Sequence, residues 1–81
     1  MRLDYTPHFL RSYKKAPLVI QRAFDKQSLL LLDSLRHPSL HAKKYNEGRD
    51  LWQARVTGSW RFYFHIEGDA YLLEEIRSHP K

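Results

Sequence analysis

Polar side chains alternate with large apolar ones between residues 60 and 66. The polar side chains are those of Arg61, Tyr63 and His65, and the apolar ones are those of Trp60, Phe62, Phe64 and Ile66. Because neighbouring side chains on a β-strand point to opposite faces of the sheet, this pattern predicts a strand with one buried face and one polar face. Arg55 and Arg77 lie on the segments predicted as flanking strands. Arginine, tyrosine and histidine on one open face are suited to binding phosphates, so we expect this face to bind RNA and to be able to cleave it.

The register of the first predicted hairpin follows from the length of its loop. If Trp52 and Val56 are to join the apolar face, the loop must contain an odd number of residues, and residues 57–59 make a loop of three. This register places Arg55 directly opposite Arg61. Two like charges opposed on neighbouring strands are unfavourable unless an anion neutralises them. We therefore expect a phosphate group or an acidic side chain between these arginines.

The register of the last strand is left open by the sequence. A two-residue turn at residues 68–69 would place Ile76 on the arginine side and Arg77 in the core. A three-residue loop or a bulge would instead place four residues on the same face of the sheet as Arg61. These are Tyr71, Leu73, Glu75 and Arg77. The second alternative is preferred because it buries an isoleucine rather than an arginine.

Two helices are predicted ahead of these strands. Thr6 followed by Pro7 is typical of a helix start, and this helix is expected to end near Lys15 because a proline follows closely. A longer helix is expected from Pro17 to about Arg36, since apolar residues recur there at helical spacing. The single residue between the two helices predicts an antiparallel helical hairpin.

Strand segments flank this hairpin in the sequence. Residues 2–5 are predicted as a short strand, and residues 38–50 as a polar, basic connection. Three strands are then expected at Leu51–Val56, Trp60–Glu67 and Ala70–Ser78, with a glycine in each intervening turn. The order β-α-α-β-β-β predicts an α+β fold in which the N-terminal helical hairpin packs on one face of a mainly antiparallel sheet.

The composition indicates a small globular protein with a polyanionic or acidic partner. The chain has 81 residues, enough for a single domain spanning 1–81, and 42% of them are hydrophobic. Fourteen Lys and Arg residues against nine Asp and Glu give a net charge of +5. There is no cysteine, no signal-peptide pattern and no apolar run near the roughly 18–20 residues of a membrane-spanning helix. We therefore expect a cytoplasmic protein without a membrane partner.

The order of elements resembles that of the RelE/ParE superfamily of toxins from bacterial and archaeal toxin–antitoxin pairs. Three stretches carry the resemblance: a Leu-x-x-Pro helix exit, a Lys-rich segment with a glycine, and an aromatic-Arg strand pair. They are residues 35–38, residues 43–48, and residues 51–56 with 60–64. The resemblance covers nearly the whole chain, and it favours the RelE-like branch.

Members of the RelE-like branch cleave messenger RNA in the ribosomal A site, so the resemblance implies a ribosome-dependent endoribonuclease that inhibits translation. The reaction is attack of a ribose 2′-hydroxyl on the adjacent phosphate, which needs cations and groups that transfer protons. The resemblance gives Arg61 the phosphate-stabilising position and places Arg77 and Lys81 at a second basic position. His79 resembles a C-terminal histidine that acts as acid or base. Arg55, opposite Arg61, completes the predicted catalytic set.

Six residues are predicted to contact RNA. They are Lys43, Lys44, Arg49, Tyr63, His65 and Lys81. The lysines belong to a basic segment able to follow a nucleic-acid backbone, and Tyr63 is either a platform for stacking a base or a cross-strand packing residue. The expected partners are mRNA on the ribosome and an acidic antitoxin protein that silences the toxin. No metal ion or organic cofactor is expected, because attack by a 2′-hydroxyl does not require one.

Two other functions stay open at the level of the sequence. ParE-like members of the superfamily inhibit DNA gyrase by binding it, without catalysis. Positions 51, 53 and 54 favour that alternative, because they hold Leu, Gln and Ala where some RelE-type enzymes carry lysines. The third function is that of a nucleic-acid-binding module without toxicity.

Overall fold

The computed structural model describes residues 1–79, which form two α-helices, a short 3-10 helix and five strands. In chain order these are β1 (Arg2–Tyr5), α1 (Pro7–Lys15), α2 (Leu18–Asp33), the 3-10 helix (Pro38–Leu40), β2 (Lys43–Asn46), β3 (Leu51–Thr57), β4 (Trp60–Glu67) and β5 (Ala70–Ser78). The strands form a sheet in the order β1-β5-β4-β3-β2. β1 runs parallel to β5, and the other neighbouring pairs are antiparallel. The predicted fold class, α+β with a helical hairpin on one face of a mainly antiparallel sheet, is confirmed.

Helix α1 has the predicted bounds because its first residues cap it. Thr6 adopts an extended conformation, and its Oγ1 accepts a hydrogen bond from the backbone N–H of Phe9 at 3.0 Å. Pro7 occupies the first turn, where a missing N–H costs nothing. The helix ends before Ala16, which is extended because Pro17 disfavours helical geometry in the residue before it.

Helix α2 ends at Asp33, three residues earlier than predicted. Ser34 is extended, and its Oγ accepts a hydrogen bond from the backbone N–H of Arg36 at 3.1 Å. Such local side-chain bonds compete with the helical pattern. His37 then caps the 3-10 helix by accepting a hydrogen bond from the N–H of Ser39 through its Nδ1. Neither α1 nor α2 has the length and apolar composition needed to cross a lipid bilayer.

The core lies between the helical hairpin and one face of the sheet. Its largest fully buried side chains come from both layers. They are Phe9, Leu31, Leu40, Phe62, Phe64, Leu73 and Ile76. Phe24 of α2 joins the layers by meeting the ring of Phe62 edge to face, with the ring centroids 5.1 Å apart. The apolar residues of the middle strand therefore face the helices, as predicted, and leave the arginine face of the sheet open.

The segment predicted as a polar connection between residues 38 and 50 contains a strand. β2 pairs with β3, with Lys43 opposite Gln53 and Lys44 opposite Trp52. Its residues are mostly polar, so the sequence pattern carries no signal of a half-buried strand. Charged residues on an edge strand discourage pairing with another chain. β2 forms because β3 supplies its hydrogen-bonding partner, which is a tertiary effect.

The first hairpin has the predicted register between its arginines but a different turn. Arg55 lies opposite Arg61, while Thr57 pairs with Trp60, so the turn contains only residues 58 and 59. The predicted three-residue loop at 57–59 is therefore wrong. A bulge takes up the odd residue, Val56, which stays in the core.

The second hairpin combines the two alternatives left open by the sequence. Residues 67 and 70 pair across a two-residue turn in which Gly68 has a φ of +59°, a conformation that favours glycine. A bulge between residues 73 and 75 then shifts the register. Beyond the bulge Arg77 lies opposite Arg61, and Ile76 is buried, as the preferred alternative predicts.

The placement of Tyr71 and Leu73 on the arginine side is wrong. Both side chains lie in the core, because the bulge falls after them rather than in the turn. The bulge consists of Glu74, which has no residue opposite it on β4, followed by Glu75, which lies opposite Tyr63. Because of this position, Leu73 before the bulge and Ile76 after it are both buried. The bulge itself carries two adjacent carboxylates.

Candidate functional site

Three arginines lie in register on adjacent strands of the open sheet face. Arg55 of β3 lies opposite Arg61 of β4, which in turn lies opposite Arg77 of β5. Strands are roughly 4.8 Å apart, so the backbone positions of this arginine row span about 10 Å. The predicted placement of the three arginines on one face is confirmed for their strand positions, whereas the guanidinium group of Arg77 is paired with the carboxylate of Glu75. A row of like charges on neighbouring strands is unfavourable unless anions or carboxylates compensate it.

The guanidinium group of Arg61 is held at the first hairpin turn by one of its nitrogens. Its Nη1 donates to the carbonyl oxygens of Thr57 at 2.7 Å, Gly58 at 3.3 Å and Trp60 at 3.0 Å. Its Nη2 and Nε have no hydrogen-bond partner among residues 1–79. The side chain is thus oriented by backbone carbonyls, while part of its fork stays available for an anion.

Arg55 makes no ion pair within the part of the chain that the structure describes. Its Nε is buried without a hydrogen-bond partner, and so is Oε1 of Gln53, two residues earlier on the same face. A buried donor without a partner costs about 1–3 kcal/mol, more when the group is charged. Because this Nε is enclosed by protein, an anion at the arginine row would reach Arg55 only through its two terminal nitrogens.

Arg77 is compensated by its neighbours. Its Nη1 lies 3.1 Å from Oε1 of Glu75, and its Nη2 donates to the hydroxyl of Tyr45 at 3.3 Å. The guanidinium carbon lies 4.5 Å from the ring centroid of Tyr63. The Tyr63 side chain is only 2% exposed and meets Tyr45 edge to face at 5.0 Å. Tyr63 is therefore a cross-strand packing residue, and no face of its ring is free to stack on a base.

A pocket of about 240 Å³ opens beside Arg77 on the same face. Its walls come from α1, the β2–β3 region, β4 and β5. They are formed by His8, Tyr45, Arg49, Leu51, Tyr63, Glu74, Glu75 and Arg77. The pocket combines two cations, two carboxylates, a histidine and an exposed aromatic ring, which is a set able to bind a phosphate and to transfer protons.

Each glutamate of the β5 bulge is paired with a histidine. His8 Nε2 lies 3.2 Å from Oε2 of Glu75, and His65 Nε2 lies 3.2 Å from Oε2 of Glu74. His65 also contacts the carbonyl oxygen of Asp50 through Nδ1 at 3.1 Å. A histidine held by a carboxylate has a defined orientation, which favours a role in proton transfer.

The structure divides the residues predicted to contact RNA. Arg49 lines the pocket, and Lys43 is exposed on the strand position beside Gln53. Lys44 points to the opposite side of the sheet, because it pairs with Trp52 and its Nζ lies 5.5 Å from that ring. Its ammonium group also forms ion pairs with Asp50 and Glu47. The structure therefore does not bring Lys44 to the arginine row.

His79 lies at the other side of the arginine row from the pocket. The backbone N–H of His79 donates to the carbonyl oxygen of Ser59, at the turn of the first hairpin. His79 is two residues beyond Arg77, whereas Glu75 is two residues before it. Lys81, predicted as a basic contact, lies outside the described residues.

Four polar pocket residues were not among the predicted site residues: His8, Tyr45, Glu74 and Glu75. Tyr45 could have been predicted from the sequence, because this aromatic residue directly follows two lysines. In the structure Tyr45 is 49% exposed. His8 belongs to a helix, and no local pattern relates it to a glutamate 67 residues away. The two glutamates reach the open face together only because of the bulge.

The comparisons with known proteins find this fold among solved structures. No protein-family model matches the sequence, and no curated protein matches it. A YoeB/ParE toxin from Agrobacterium tumefaciens has a TM-score of 0.78 and 14% identity, with 99% of this chain and 100% of that chain covered. YafQ from E. coli has a TM-score of 0.73 and 15% identity, with 94% of this chain and 90% of that chain covered.

A third similar structure includes a second protein. It is the archaeal RelE–RelB complex from Pyrococcus horikoshii, with a TM-score of 0.75 and 14% identity over 99% of this chain and 96% of that chain. The similar structures thus carry the names RelE, YafQ and YoeB/ParE, and they match nearly the whole chain. At such low identity the similarity establishes the fold, and this chain has the fold of the RelE/ParE toxins of toxin–antitoxin systems.

Proposed function

We propose that this chain is the toxin of a toxin–antitoxin pair and that it cleaves messenger RNA on the ribosome, in the cytoplasm. The observation that carries the proposal is the alignment of Arg55, Arg61 and Arg77 on three adjacent strands of the open face. Phosphate oxygens are the ligands that a row of guanidinium groups binds best. The Nη2 and Nε of Arg61, which have no hydrogen-bond partner among residues 1–79, support this assignment.

In the proposed reaction the ribose 2′-oxygen attacks the adjacent phosphate. A bond forms between the 2′-oxygen and phosphorus, and the bond from phosphorus to the 5′-oxygen breaks. The products are a 2′,3′-cyclic phosphate and a 5′-hydroxyl end. The arginine row stabilises the charge that develops on the phosphate oxygens. One group must take the proton of the 2′-hydroxyl, and another must give a proton to the 5′-oxygen.

The two proton-transfer groups are assigned to opposite sides of the arginine row. Glu75, held by His8 at 3.2 Å, lies two residues before Arg77, and His79 lies two residues after it. At about 3.3 Å per residue, each position is roughly 7 Å along the strand from the arginine. A phosphate at Arg77 would thus have one candidate group on each side of it along β5.

An acidic antitoxin is the proposed protein partner. The chain carries a net charge of +5, and electrostatic complementarity accelerates association with an acidic protein. RelB–RelE pairs occur among the similar structures, including the complex from Pyrococcus horikoshii. An antitoxin segment that places carboxylates on the arginine row would block the same surface that binds RNA.

Primer extension on mRNA from translating ribosomes tests the proposal, with purified wild-type protein and Arg61→Ala. Loss of one preorganised donor to the phosphate is expected to reduce cleavage by about 10²–10³-fold. Arg11→Ala, an exposed helical arginine, is the matched control and should cleave as the wild type does. Far-UV circular dichroism and thermal unfolding check that both variants fold.

A gyrase-binding function is the second candidate. It is favoured by Leu51 and Gln53, which are buried where some RelE-type enzymes carry lysines, so that the open face has fewer free cations beside the row. Growth arrest without cut transcripts, unchanged in Arg61→Ala, would support this candidate. Such a result would contradict the ribonuclease proposal.

A further inference from the structure

A second pocket lies away from the arginine row, where the end of β1 meets both helices. Its volume is about 180 Å³, and it is lined by Tyr5, Phe9, Leu10, Tyr13, Phe24 and Asp25. Four of its six lining residues are aromatic, and one is a carboxylate. None of them takes part in the proposed cleavage reaction.

The aromatic rings of this pocket pack against one another. The ring centroids are 5.5 Å apart for Tyr5 and Phe9, 5.1 Å for Phe9 and Phe24, and 5.9 Å for Tyr13 and Phe24. Phe9 and Phe24 are buried and therefore fixed in position. The faces of aromatic rings carry negative potential and attract cations. Phe9 and Phe24 have almost no exposed surface, so the rings of Tyr5 and Tyr13, which pack against them, provide the surface for a positively charged group.

Asp25 adds a full negative charge at this pocket. Its Oδ1 accepts a hydrogen bond from the Tyr13 hydroxyl at 2.9 Å, which orients the carboxylate. Among residues 1–79, no Lys, Arg or His lies within ion-pair distance of Asp25. Burial raises the pKa of the Tyr5 hydroxyl, and the charge of Asp25 raises that pKa further. The pocket thus contains one carboxylate, in a chain whose net charge is +5.

The rim of the pocket is apolar and open. Tyr5 is 44% exposed and Leu10 is 46% exposed, so both present apolar surface around the entrance. The stems of lysine and arginine are aliphatic and pack on such surface while the charged end is held elsewhere. A charged end at Asp25 with an aliphatic stem on the rim matches the shape of one of these side chains.

Basic residues are close in sequence to the lining residues of the same two helices. Arg11 follows Leu10, Lys26 follows Asp25, and Arg22 lies one helical turn before Lys26. None of the three forms an ion pair within the described part of the chain. These three basic residues would attract carboxylates that flank the cation of a bound segment. They would repel a segment whose flanking residues were basic.

We propose that this pocket is a protein-docking site that takes the side chain of a single arginine or lysine from an acidic segment of a partner protein. The cation lies against the rings of Tyr5 and Tyr13 and pairs with Asp25, and the flanking carboxylates of the segment meet the basic residues of α1 and α2. This site is separate from the arginine row and does not depend on the proposed ribonuclease function.

NMR titration of the full chain labelled with ¹⁵N tests the site. The probe is the peptide acetyl-Glu-Glu-Arg-Glu-Glu-amide, and its control is the same peptide with glutamine in place of arginine. The arginine peptide is expected to shift the amide signals of Tyr5, Leu10, Tyr13 and Asp25, and to bind at least about tenfold more tightly than the glutamine peptide. Equal affinity of the two peptides would overturn the proposal.

Two variants make the test specific. Asp25→Asn keeps the shape of the side chain and is expected to weaken binding of the arginine peptide by about tenfold or more. Asp33→Asn makes the same change of charge on the same helix, outside the pocket, and should bind as the wild type does. Equal losses in both variants, or none in either, would contradict the assignment of Asp25. Tighter binding of spermidine than of the peptide would assign the pocket to a free amine and refute protein docking.

Discussion

The hydroxyl oxygen of Ser12 on α1 accepts a hydrogen bond from the backbone N–H of Ile76 on β5 at 3.1 Å. β1 pairs with β5 only as far as Leu73, so the following residues of β5 have no strand neighbour on that side. Helix α1 takes the place of the missing strand there. The hydroxyl of Thr6 likewise donates to the carbonyl oxygen of Glu74 at 3.3 Å. The helix thus holds the bulge that turns Glu74 and Glu75 toward the histidines of the open face.

Ser12→Ala is expected to destabilise the protein by about 1–3 kcal/mol, because the N–H of Ile76 loses its partner in a partly buried position. Urea unfolding measures the change. Hydrogen exchange should accelerate at Ile76 more than at Phe62 on the neighbouring strand. Ser78→Ala, an exposed serine on the same strand, is the control and should change the free energy of unfolding little. Equal exchange rates at Ile76 in the variant and the wild type would show that α1 does not hold the bulge.

Glu75→Gln tests proton transfer without a change of side-chain size. If Glu75 and His8 carry one of the two proton transfers, the variant should lose about 10²–10⁴-fold in the rate of mRNA cleavage. The pH–rate profile should also lose one of its limbs. Binding of uncleavable RNA, with the 2′-hydroxyl replaced by hydrogen, should change little. Glu67→Gln, on an exposed end of β4, is the matched control. An unaltered pH profile in Glu75→Gln would assign this proton transfer to another group.

Tyr45, rather than Tyr63, is expected to stack on a base of the bound RNA. Tyr45→Leu should weaken binding of single-stranded RNA by about 1–3 kcal/mol, the usual contribution of one base–aromatic stack. Tyr63→Phe should leave RNA affinity almost unchanged, since the Tyr63 ring is buried beneath Arg77 and Tyr45. Fluorescence anisotropy with a labelled oligonucleotide measures both. Wild-type affinity in Tyr45→Leu would rule out stacking at this position.

The ion pair between Lys44 and Asp50 predicts a defined dependence of stability on pH. The hydrogen bond and charge of Lys44 hold the pKa of Asp50 below its ordinary value of 3.8. A carboxyl whose pKa is lower in the folded state stabilises the fold above that ordinary value and loses this contribution as the pH falls through its folded pKa. The difference in urea midpoint between the wild type and Asp50→Asn should therefore be present at neutral pH and vanish in acid. Because Asp50 is exposed and Lys44 is partly exposed, 1 M salt should also reduce the difference.

The helices and the three C-terminal strands were predictable because their signals are local. Thr6 and Pro7 start α1 through a cap and a fixed backbone angle, and the alternation from Trp60 to Ile66 gives β4 its two faces. Arg55 and Arg61 were predicted opposite each other from the same alternation, and this register is confirmed even though the turn differs. The predicted loop had three residues and the observed turn has two. The predicted pairing is still correct because the bulge adds the one residue that the turn lacks.

Strand β2 and the bulge in β5 depend on tertiary contacts and have no signal in the local sequence. Strand β2 exists because β3 offers a partner, although Lys43 and Lys44 carry no strand signal. The bulge at Glu74 exists because apolar residues on both sides of it, Leu73 and Ile76, must reach the same core. That one inserted residue also determines where both carboxylates lie.

The sequence by itself determined the α+β class, the buried face of the sheet and the arginine row. The reason is that the two-residue period of a strand and the caps of a helix depend only on neighbouring residues. Only the tertiary structure decided that His8 meets Glu75 and that His65 meets Glu74. It also decided that Lys44 lies on the far side of the sheet, over Trp52. These pairs join residues that are distant along the chain or on different strands, and their contacts depend on strand order and on bulges rather than on local spacing.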